Sequence, residues 1–484
     1  MEVNKQVPLQ QQSNKTPLKA IRILSIDGGG IRGVAVARIL EEIEKRTDKK
    51  IHELFDVVVG TSTGGLLAVM MTVEIPPAFD EIPEIDTKDK EIKEKLEKLK
   101  VKRQRQIDIR EELGLKAGQV LTAAQAKRLY QLKAKEIFHE NAGFFHKALE
   151  STNEYVGKVL HWFSTKYEKG IGLKDIVRAL YIKNGFEEAR TCTGVVVTER
   201  GFGMPLLLNS TNAKVKGRHN FHNNLSLAKL VRATSAAPTY FKAVHIHNPV
   251  IGKEQEKDEE ELEKEQKLIH WSSSHWDQEV IDHKFCQRQT LFFEDGGVTC
   301  NNPSLKGFRY AKELLKLNNL EPHDYQFQIY SFGTGAEKFD EPDPAHDIIK
   351  DLEKKGGKVQ SGNWDSLSRL AFNDPFQVAR QSYKNHIKVQ ERLKFFERRS
   401  KKNDIKHKYF RFQFEATKDQ LAKLDDSSKK HIDGLIAAAQ HSIDNNPVFE
   451  DIIASLDTPV DRPKDLNKIP PKIKLEDSKL FQCI

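Results

Sequence analysis

One serine of this 484-residue chain lies between glycines, at a position where a nucleophile could be presented. The sequence at 60–64 is GTSTG, and it follows the apolar run Phe55–Val59 and precedes an apolar helical pattern. A nucleophile on a sharp strand-to-helix turn needs small neighbours, which Gly60 and Gly64 supply on either side of Ser62. The positive end of the following helix stabilises a developing negative charge. The pattern therefore predicts that Ser62 is a nucleophile.

A glycine run upstream could stabilise the charge that such a nucleophile creates. Gly28, Gly29 and Gly30 follow the apolar segment Ile21–Ile26 and precede a helical pattern. Consecutive glycines let backbone N–H groups converge, which suits either a phosphate or the oxyanion of an acyl-transfer intermediate. The spacing is not G-x-G-x-x-G and no G-K-[ST] follows, so the run is not typical of a dinucleotide site or a P-loop.

The third chemical candidate is an aspartate at the end of another apolar segment. Asp295 follows Leu291–Phe293 and precedes Gly296 and Gly297. A carboxylate at a strand end lies at the sheet edge where α/β proteins keep their active sites. Taken alone the pattern is that of a turn, but together with Ser62 it predicts a general base.

The predicted strands and helices that position these residues indicate an α/β fold. A strand, a turn and a helix follow one another twice within the first part of the chain, which predicts a mostly parallel central sheet. Two charged insertions interrupt this pattern, at about 74–112 and 251–285. The first contains a predicted helix, Lys88–Arg110, whose charge pattern is typical of a solvated surface.

The motifs in their order resemble those of the patatin-like phospholipases. The motifs are ILSIDGGGIRG, GTSTGG, ATSAAPTYF and EDGG, and the likeness runs from about residue 18 to about 441 outside the two insertions. It implies the three-layer patatin-like fold. The site residues that it implies are Ser62 as nucleophile, Asp295 as its partner in a Ser–Asp dyad, Gly60 and Gly64 beside the nucleophile, and Gly28, Gly29, Gly30 and Arg32 as the oxyanion-hole region. Asp27 is expected to hold the glycine loop rather than to react.

The resemblance also implies an activity. It is a lipid acyl hydrolase of the phospholipase A or lysophospholipase type, which forms an acyl-enzyme from a phospholipid or lysophospholipid and uses neither metal nor cofactor. Two alternatives stay open. One is an esterase with a Ser–His–Asp triad, in which His323 or His346 would be the histidine. The other is a lipid-binding protein on the same fold without catalytic activity.

Composition sets the expected environment of the protein. The net charge of +8 permits contact with an anionic surface without requiring nucleic acid. Four widely spaced cysteines predict neither a zinc site nor a disulfide framework. Without a signal-peptide or membrane-spanning pattern, we expect a cytoplasmic protein with peripheral membrane contact, and export by a dedicated machine or dependence on an activating protein partner stays open.

The expected domain plan is a flexible start at 1–18, an acyl-hydrolase domain at 19–445 and a tail at 446–484. Within it, Ile387–Phe412 holds ten basic and three acidic residues among five aromatic ones. This composition has two interpretations: a helix–strand pair with a solvated basic rim, or a segment that contacts an anionic bilayer. In the second interpretation, the exposed cations are Arg398, Arg399, Lys401 and Lys402.

Overall fold

The fold is that of a computed structural model of the chain. The structure describes residues 18–77, 89–137, 171–181, 185–200, 203–214, 225–237, 241, 243–247, 290–336, 387–398, 405–422, 424–464 and 466–468. The predicted insertion at 251–285 lies outside these residues, as do 1–17 and 469–484.

The described strands form one mixed sheet. They are β1 (Ala20–Ile26), β2 (Val57–Thr61), β3 (Cys192–Glu199), β4 (Met204–Asn209), β5 (Val244–His247), β6 (Thr290–Asp295), β7 (Gln326–Phe332) and β8 (Lys408–Phe412). Strands β3, β2, β1, β7 and β8 are neighbours in that order and run parallel. Strands β4 and β6 pair with β3 in the antiparallel sense, and β5 does so with β6. The prediction of a mostly parallel sheet therefore holds for the centre, while one side is antiparallel.

Helices cover both faces of the sheet. They are α1 (Gly33–Thr47), α2 (Ile51–Leu54), α3 (Thr63–Met70), α4 (Lys90–Leu113), α5 (Ala123–Ile137), α6 (Ile171–Tyr181), α7 (Ser210–Lys214), α8 (Leu227–Thr234), α9 (Gly297–Cys300), α10 (Ser304–Leu317), α11 (387–398), α12 (Lys418–Ala422), α13 (Lys429–Asn445) and α14 (Pro447–Asp457). Because side chains alternate along a strand, Leu24 and Ile26 of β1 join one core and Ile21 and Ile23 the other. The first core includes α1, α3, α5, α6 and α8, and the second includes α10 and α11. This arrangement confirms the predicted three-layer α/β fold.

The predicted charged helix of the first insertion is present as α4. Its first half is solvated: Leu99 is 51% exposed and Val101 is 67% exposed. Its last turns are not, because Ile109 and Leu113 are buried against the first core. The insertion therefore contributes an anchored end to the domain as well as a solvated surface.

The chain beyond residue 445 does not begin a tail. Helix α14 buries Phe449, whose ring lies 5.6 Å from that of Phe412 in β8. After the helix, the Ala20 N–H of β1 donates to the Asp461 carbonyl at 3.0 Å, and Arg462 forms an ion pair with Asp56. The predicted domain boundary at 445 is wrong, because these contacts and a hydrogen bond from Lys214 of α7 to the Asn467 carbonyl hold residues up to Asn467 against the domain.

The basic segment at 387–412 is a helix followed by strand β8. Phe396 packs against the second core and Phe412 is buried in the first, whereas Phe395 is 45% exposed. Four cations of this segment were expected to be exposed. Arg398 is exposed, whereas Arg399, Lys401 and Lys402 lie outside the described residues.

Three further features of the described residues bear on function: possible metal ligands, helix hydrophobicity and thiols. These residues contain no group of three or more His, Cys, Asp or Glu side chains that could hold a metal ion. None of their helices combines the length and the apolar character that crossing a bilayer requires. Cys192 and Cys300 are free and buried, and burial raises the pKa of Cys192 to about 12 and that of Cys300 to about 11. Neither thiol is therefore a nucleophile at neutral pH.

Candidate active site

Ser62 occupies a strained turn between β2 and α3. Its φ of 54° lies in a region that side chains other than glycine rarely adopt. The turn is so tight that a Cβ on Gly60 would lie 2.1 Å from the Gly64 carbonyl oxygen, and one on Gly64 would lie 2.3 Å from that of Ile26. The glycines on either side of Ser62 are thus a steric requirement of the turn, which lifts the hydroxyl out of the sheet.

The Ser62 hydroxyl bonds directly to the predicted aspartate. Its Oγ donates to Asp295 Oδ2 at 2.6 Å, and the backbone N–H of Gly297 donates to Asp295 Oδ1 at 2.7 Å. The Asp295 side chain is 1% exposed. The carboxylate is thus fixed by two donors, with one oxygen aimed at the serine.

The sheet topology explains how residues 233 positions apart come into contact. Strand β3 pairs with β2 along Cys192–Val196 and with β6 along Val197–Glu199, while β4 pairs with its other edge. Strands β2 and β6 therefore occupy the same edge of β3 and run towards each other. Ser62 directly follows β2 and Asp295 ends β6, so the two side chains meet where the strands converge.

Burial makes the Asp295 carboxylate more basic than an exposed one. It raises the pKa of this carboxyl to about 7, although the hydrogen bonds from Ser62 and Gly297 and the charge of Arg232 act in the opposite direction. A carboxylate with a pKa near neutrality can accept a proton and return it.

The glycine loop lies beside Ser62 with two backbone donors directed away from the protein's own acceptors. A Cβ on Gly28 would lie 3.1 Å from the Ser62 Cβ, so the loop and the serine are in contact. The N–H groups of Gly28 and Ile31 donate to the carbonyls of Asn301 and Leu424. Within the described part of the chain, the N–H groups of Gly29 and Gly30 bond to no acceptor. These two groups can serve as oxyanion donors.

Two charged side chains brace this loop. Arg32 is buried, and its Nε donates to the Gly29 carbonyl at 3.2 Å. Asp27 forms a bidentate ion pair with Arg411 of β8, at 2.9 and 2.6 Å. Asp27 therefore holds the loop, as expected, and Arg32 acts on the oxyanion region through the backbone.

A cavity opens over Ser62 and Asp295, and both residues line it. Gly29, Gly30 and Asn301 contribute polar backbone and amide groups to its lining. Part of its wall is apolar and is formed by side chains from α3, α5 and α6 together with one phenylalanine: Leu66, Ile137, Leu173 and Phe241. The cavity thus combines a reaction centre with a wall suited to a hydrocarbon chain.

Comparison with known proteins places the chain in a family. The family model for patatin-like phospholipase matches residues 24–304, which include the glycine loop, Ser62 and Asp295. The chain belongs to the patatin-like phospholipase family. This patatin-like protein is 24% identical over 438 residues to Patatin-like protein 3 of Arabidopsis thaliana, covering 87% of this chain and 80% of the relative.

Shorter stretches are more similar to named phospholipases. One matches Phospholipase A I of Arabidopsis thaliana at 50% identity over 64 residues, which is 13% of this chain and 5% of the relative. Another matches human Calcium-independent phospholipase A2-gamma at 46% identity over 67 residues, 14% of this chain and 8% of the relative. The patatin-like protein thus spans only a small part of these two longer proteins.

Sequence reasoning missed a residue that holds the nucleophile of this patatin-like protein. Thr234, at the end of α8, accepts the Ser62 backbone N–H at 2.9 Å and donates to the Val196 carbonyl of β3 at 2.5 Å. Two residues further on, the Ala236 carbonyl accepts the Asp295 N–H at 3.0 Å. The small residues of ATSAAPTYF suggested close packing, but no feature of the motif singles out the threonine hydroxyl.

His323, one of the two histidines of the triad alternative, is not at the site. His323 lies in a 3-10 turn, Pro322–Asp324, that precedes β7, and its ring stacks on Phe396 at 4.1 Å. Because β7 runs parallel to the strands beside it, this turn is at the opposite end of the sheet from Ser62. No histidine lines the cavity in the described ranges, and His346 lies outside them. The structure thus excludes His323 from a triad with Ser62.

Proposed function

We propose that this patatin-like protein is a lipid acyl hydrolase of the phospholipase A or lysophospholipase type that works through a Ser62–Asp295 dyad. The observation that carries the proposal is the 2.6 Å bond from the Ser62 hydroxyl to a buried carboxylate, made on a strained turn beneath a cavity with an apolar wall. The names of two relatives, Phospholipase A I and Calcium-independent phospholipase A2-gamma, support a phospholipid substrate.

In the acylation step, Asp295 accepts the Ser62 proton while the Ser62 oxygen attacks the ester carbonyl carbon. The carbonyl oxygen becomes an oxyanion, to which Gly29 and Gly30 offer their N–H groups and α3 its positive end. When the intermediate collapses, the ester C–O bond breaks and the leaving alkoxide takes the proton from Asp295. The products are an acyl-serine and a free alcohol, which is a lysophospholipid when the substrate is a diacyl phospholipid.

In the deacylation step, water replaces the alcohol. Asp295 accepts a proton from this water, whose oxygen attacks the acyl carbon. The acyl–Ser62 bond then breaks, and Ser62 recovers its proton from Asp295 as the fatty acid leaves. Arg411, bonded to Asp27, and Arg32 keep the glycine loop in place throughout the cycle.

The test uses purified protein, a soluble chromogenic ester and a phospholipid whose products are identified by mass spectrometry. Ser62→Ala and Asp295→Asn should each lower kcat by about 10⁴-fold or more, and the double variant should be little worse than either because the two residues act as a unit. Asp451→Asn changes an exposed aspartate of α14 and serves as the control with wild-type activity.

Two outcomes would reject this mechanism or this function. Full activity in Asp295→Asn would reject the dyad. Lipid binding by the wild type without turnover, both alone and with a cell lysate that supplies an activating partner, would favour the non-catalytic lipid-binding alternative. Turnover with lysate alone would instead support the function and reveal a need for an activator.

A further inference from the structure

A groove lies on the face of the molecule opposite α1, between α10 and α11. Helix α11 turns Val389, Leu393 and Phe396 towards the second core, and the Phe396 ring lies 5.6 Å from that of Phe308 in α10. The remaining side chains of α11 are directed away from the core. Six of them line a groove together with Leu305 and Arg309 of α10, and this groove shares no lining residue with the catalytic cavity.

The groove is strongly cationic. Five basic side chains line it together with one carboxylate, Glu391: Arg309, Lys388, Arg392, Lys394 and Arg398. All five are exposed, and none forms an ion pair with a described residue. The groove therefore has five basic residues to one acidic residue, whereas the whole chain has 78 basic residues to 70 acidic ones.

A neighbouring depression extends the same surface. It is lined in part by Lys312 and Lys316 of α10 and shares Arg392 and Phe395 with the groove. The pKa of Lys312 is lowered, first by burial and then by the charges of Lys316, Arg309 and Arg392, although Glu313 raises it. The cations of the two helices are therefore close enough to repel one another, and an anionic partner would relieve that repulsion.

An exposed aromatic side chain lies among these cations. Phe395 is 45% exposed, while its neighbour Phe396 is packed between the helices. Lys and Arg interspersed with an exposed aromatic ring suit the interface of an anionic bilayer, where the charges meet phosphates and the ring enters the boundary with the acyl chains. A small soluble anion would use the cations and leave Phe395 without a role.

We propose that the groove between α10 and α11 binds the anionic headgroups of a phospholipid bilayer, with Arg309 and Arg392 at its centre and Phe395 entering the interface. Leu305, which lines the groove, follows Asn301 of the catalytic cavity by four residues in the sequence. The proposal rests on surface chemistry and is independent of the hydrolase function.

The test measures co-sedimentation with vesicles of phosphatidylcholine alone and of phosphatidylcholine mixed with phosphatidylglycerol. The full chain should bind the mixed vesicles, and added salt should release it. The variant Arg309→Glu/Arg392→Glu should bind them at least about 25-fold more weakly, since each basic residue near such a surface contributes a factor of about five. Phe395→Ala should weaken binding without changing its salt dependence.

The matched control makes the same change of charge on the other face of the sheet. Lys45→Glu/Lys49→Glu alters two exposed lysines at and beyond the end of α1 and should bind the mixed vesicles as the wild type does. Hydrolysis of a soluble ester by Arg309→Glu/Arg392→Glu should stay at the wild-type rate, which checks that the variant is folded. A wild type inactive on that ester but bound to vesicles would reject the proposed function and leave this proposal standing.

Three outcomes would overturn the proposal. The first is unaltered vesicle binding by Arg309→Glu/Arg392→Glu. The second is an equal loss in Lys45→Glu/Lys49→Glu, which would mean that total charge and not the groove decides. The third is release of the wild type by inorganic phosphate at constant ionic strength, which would identify a site for a soluble anion instead.

Discussion

At the scale of single residues, activity depends on where the Ser62 proton can go. Asp295 is the bonded acceptor at 2.6 Å, and burial has raised its pKa to about 7. The same burial that makes Asp295 a useful base also makes it sensitive to pH, because the protonated carboxyl can accept no further proton. In the proposed mechanism, the buried position of this carboxylate therefore sets the pH range of the reaction.

We therefore expect the kcat/KM for a soluble ester to rise with pH and to level off above a midpoint near 7. Below that pH the Asp295 carboxyl is protonated, and above it the carboxylate accepts the Ser62 proton. The measurement is a pH–rate profile, with aliquots returned to the plateau pH to verify that the fold survives. A flat profile across the neutral range would contradict the assignment of Asp295 as base.

Thr234 should matter for turnover without touching the substrate. Thr234→Val removes the acceptor of the Ser62 N–H, and we expect kcat to fall about tenfold with KM unchanged, as the loss of one hydrogen bond would give. Thr234→Ser keeps the hydroxyl and is the matched control, with kcat near that of the wild type. A Thr234→Val enzyme with wild-type kcat would show that the turn holds Ser62 unaided.

At the scale of elements, the cavity joins two kinds of structure. Its reactive side comes from turns at the ends of β1, β2 and β6, which the sheet fixes in place. Its apolar wall comes from α3 together with α5 and α6, which follow the charged insertion. The same catalytic turns could therefore accept different acyl chains if the helices of the wall changed.

This division predicts which substitution alters acyl-chain preference. Leu173→Trp adds bulk to the wall and should lower kcat/KM for long-chain esters while a butyryl ester is still hydrolysed, since the short chain does not reach the wall. Leu132→Trp, at an exposed position of α5, is the control and should leave the chain-length profile unchanged. An equal effect of Leu173→Trp on all chain lengths would count against the apolar wall as the acyl site.

At the scale of the whole molecule, the C-terminal part of the chain completes the core that the N-terminal part begins. Phe449 of α14 packs on Phe412, and Arg22 of β1 donates to the carbonyls of Ser455 and Thr458. Arg411 of β8 reaches the glycine loop through Asp27. The reaction centre therefore depends on residues far along the chain that take no part in the chemistry.

Phe449→Ala should accordingly lower the free energy of unfolding by about 3–5 kcal/mol, because it empties a fully buried site between α14 and β8. Asp451→Ala, on the exposed side of the same helix, should change it by less than about 0.5 kcal/mol. Urea unfolding followed by circular dichroism makes the comparison. Equal stability of the two variants would mean that the segment beyond residue 445 is dispensable to the fold.

The sequence by itself determined the local features of the site. A strained turn constrains the residue types within a few positions of it. For this reason the sequence alone identifies Gly60, Ser62, Gly64 and the glycine run at 28–30. The alternation of strands and helices likewise revealed the α/β class, since periodicity is a local property. The position of Asp295 at a strand end suggested its pairing with Ser62, and the resemblance to a family supported that pairing.

Only the tertiary structure decided how distant segments meet. Strands β2 and β6 converge on one edge of β3, Thr234 holds Ser62, and α14 belongs to the core. These three features depend on strand register and on packing between segments far apart in the sequence. Such contacts follow from the free energy of burying many side chains together. No short stretch of sequence contains that sum. Nor does one show that Phe395 is exposed while its neighbour Phe396 packs against the second core.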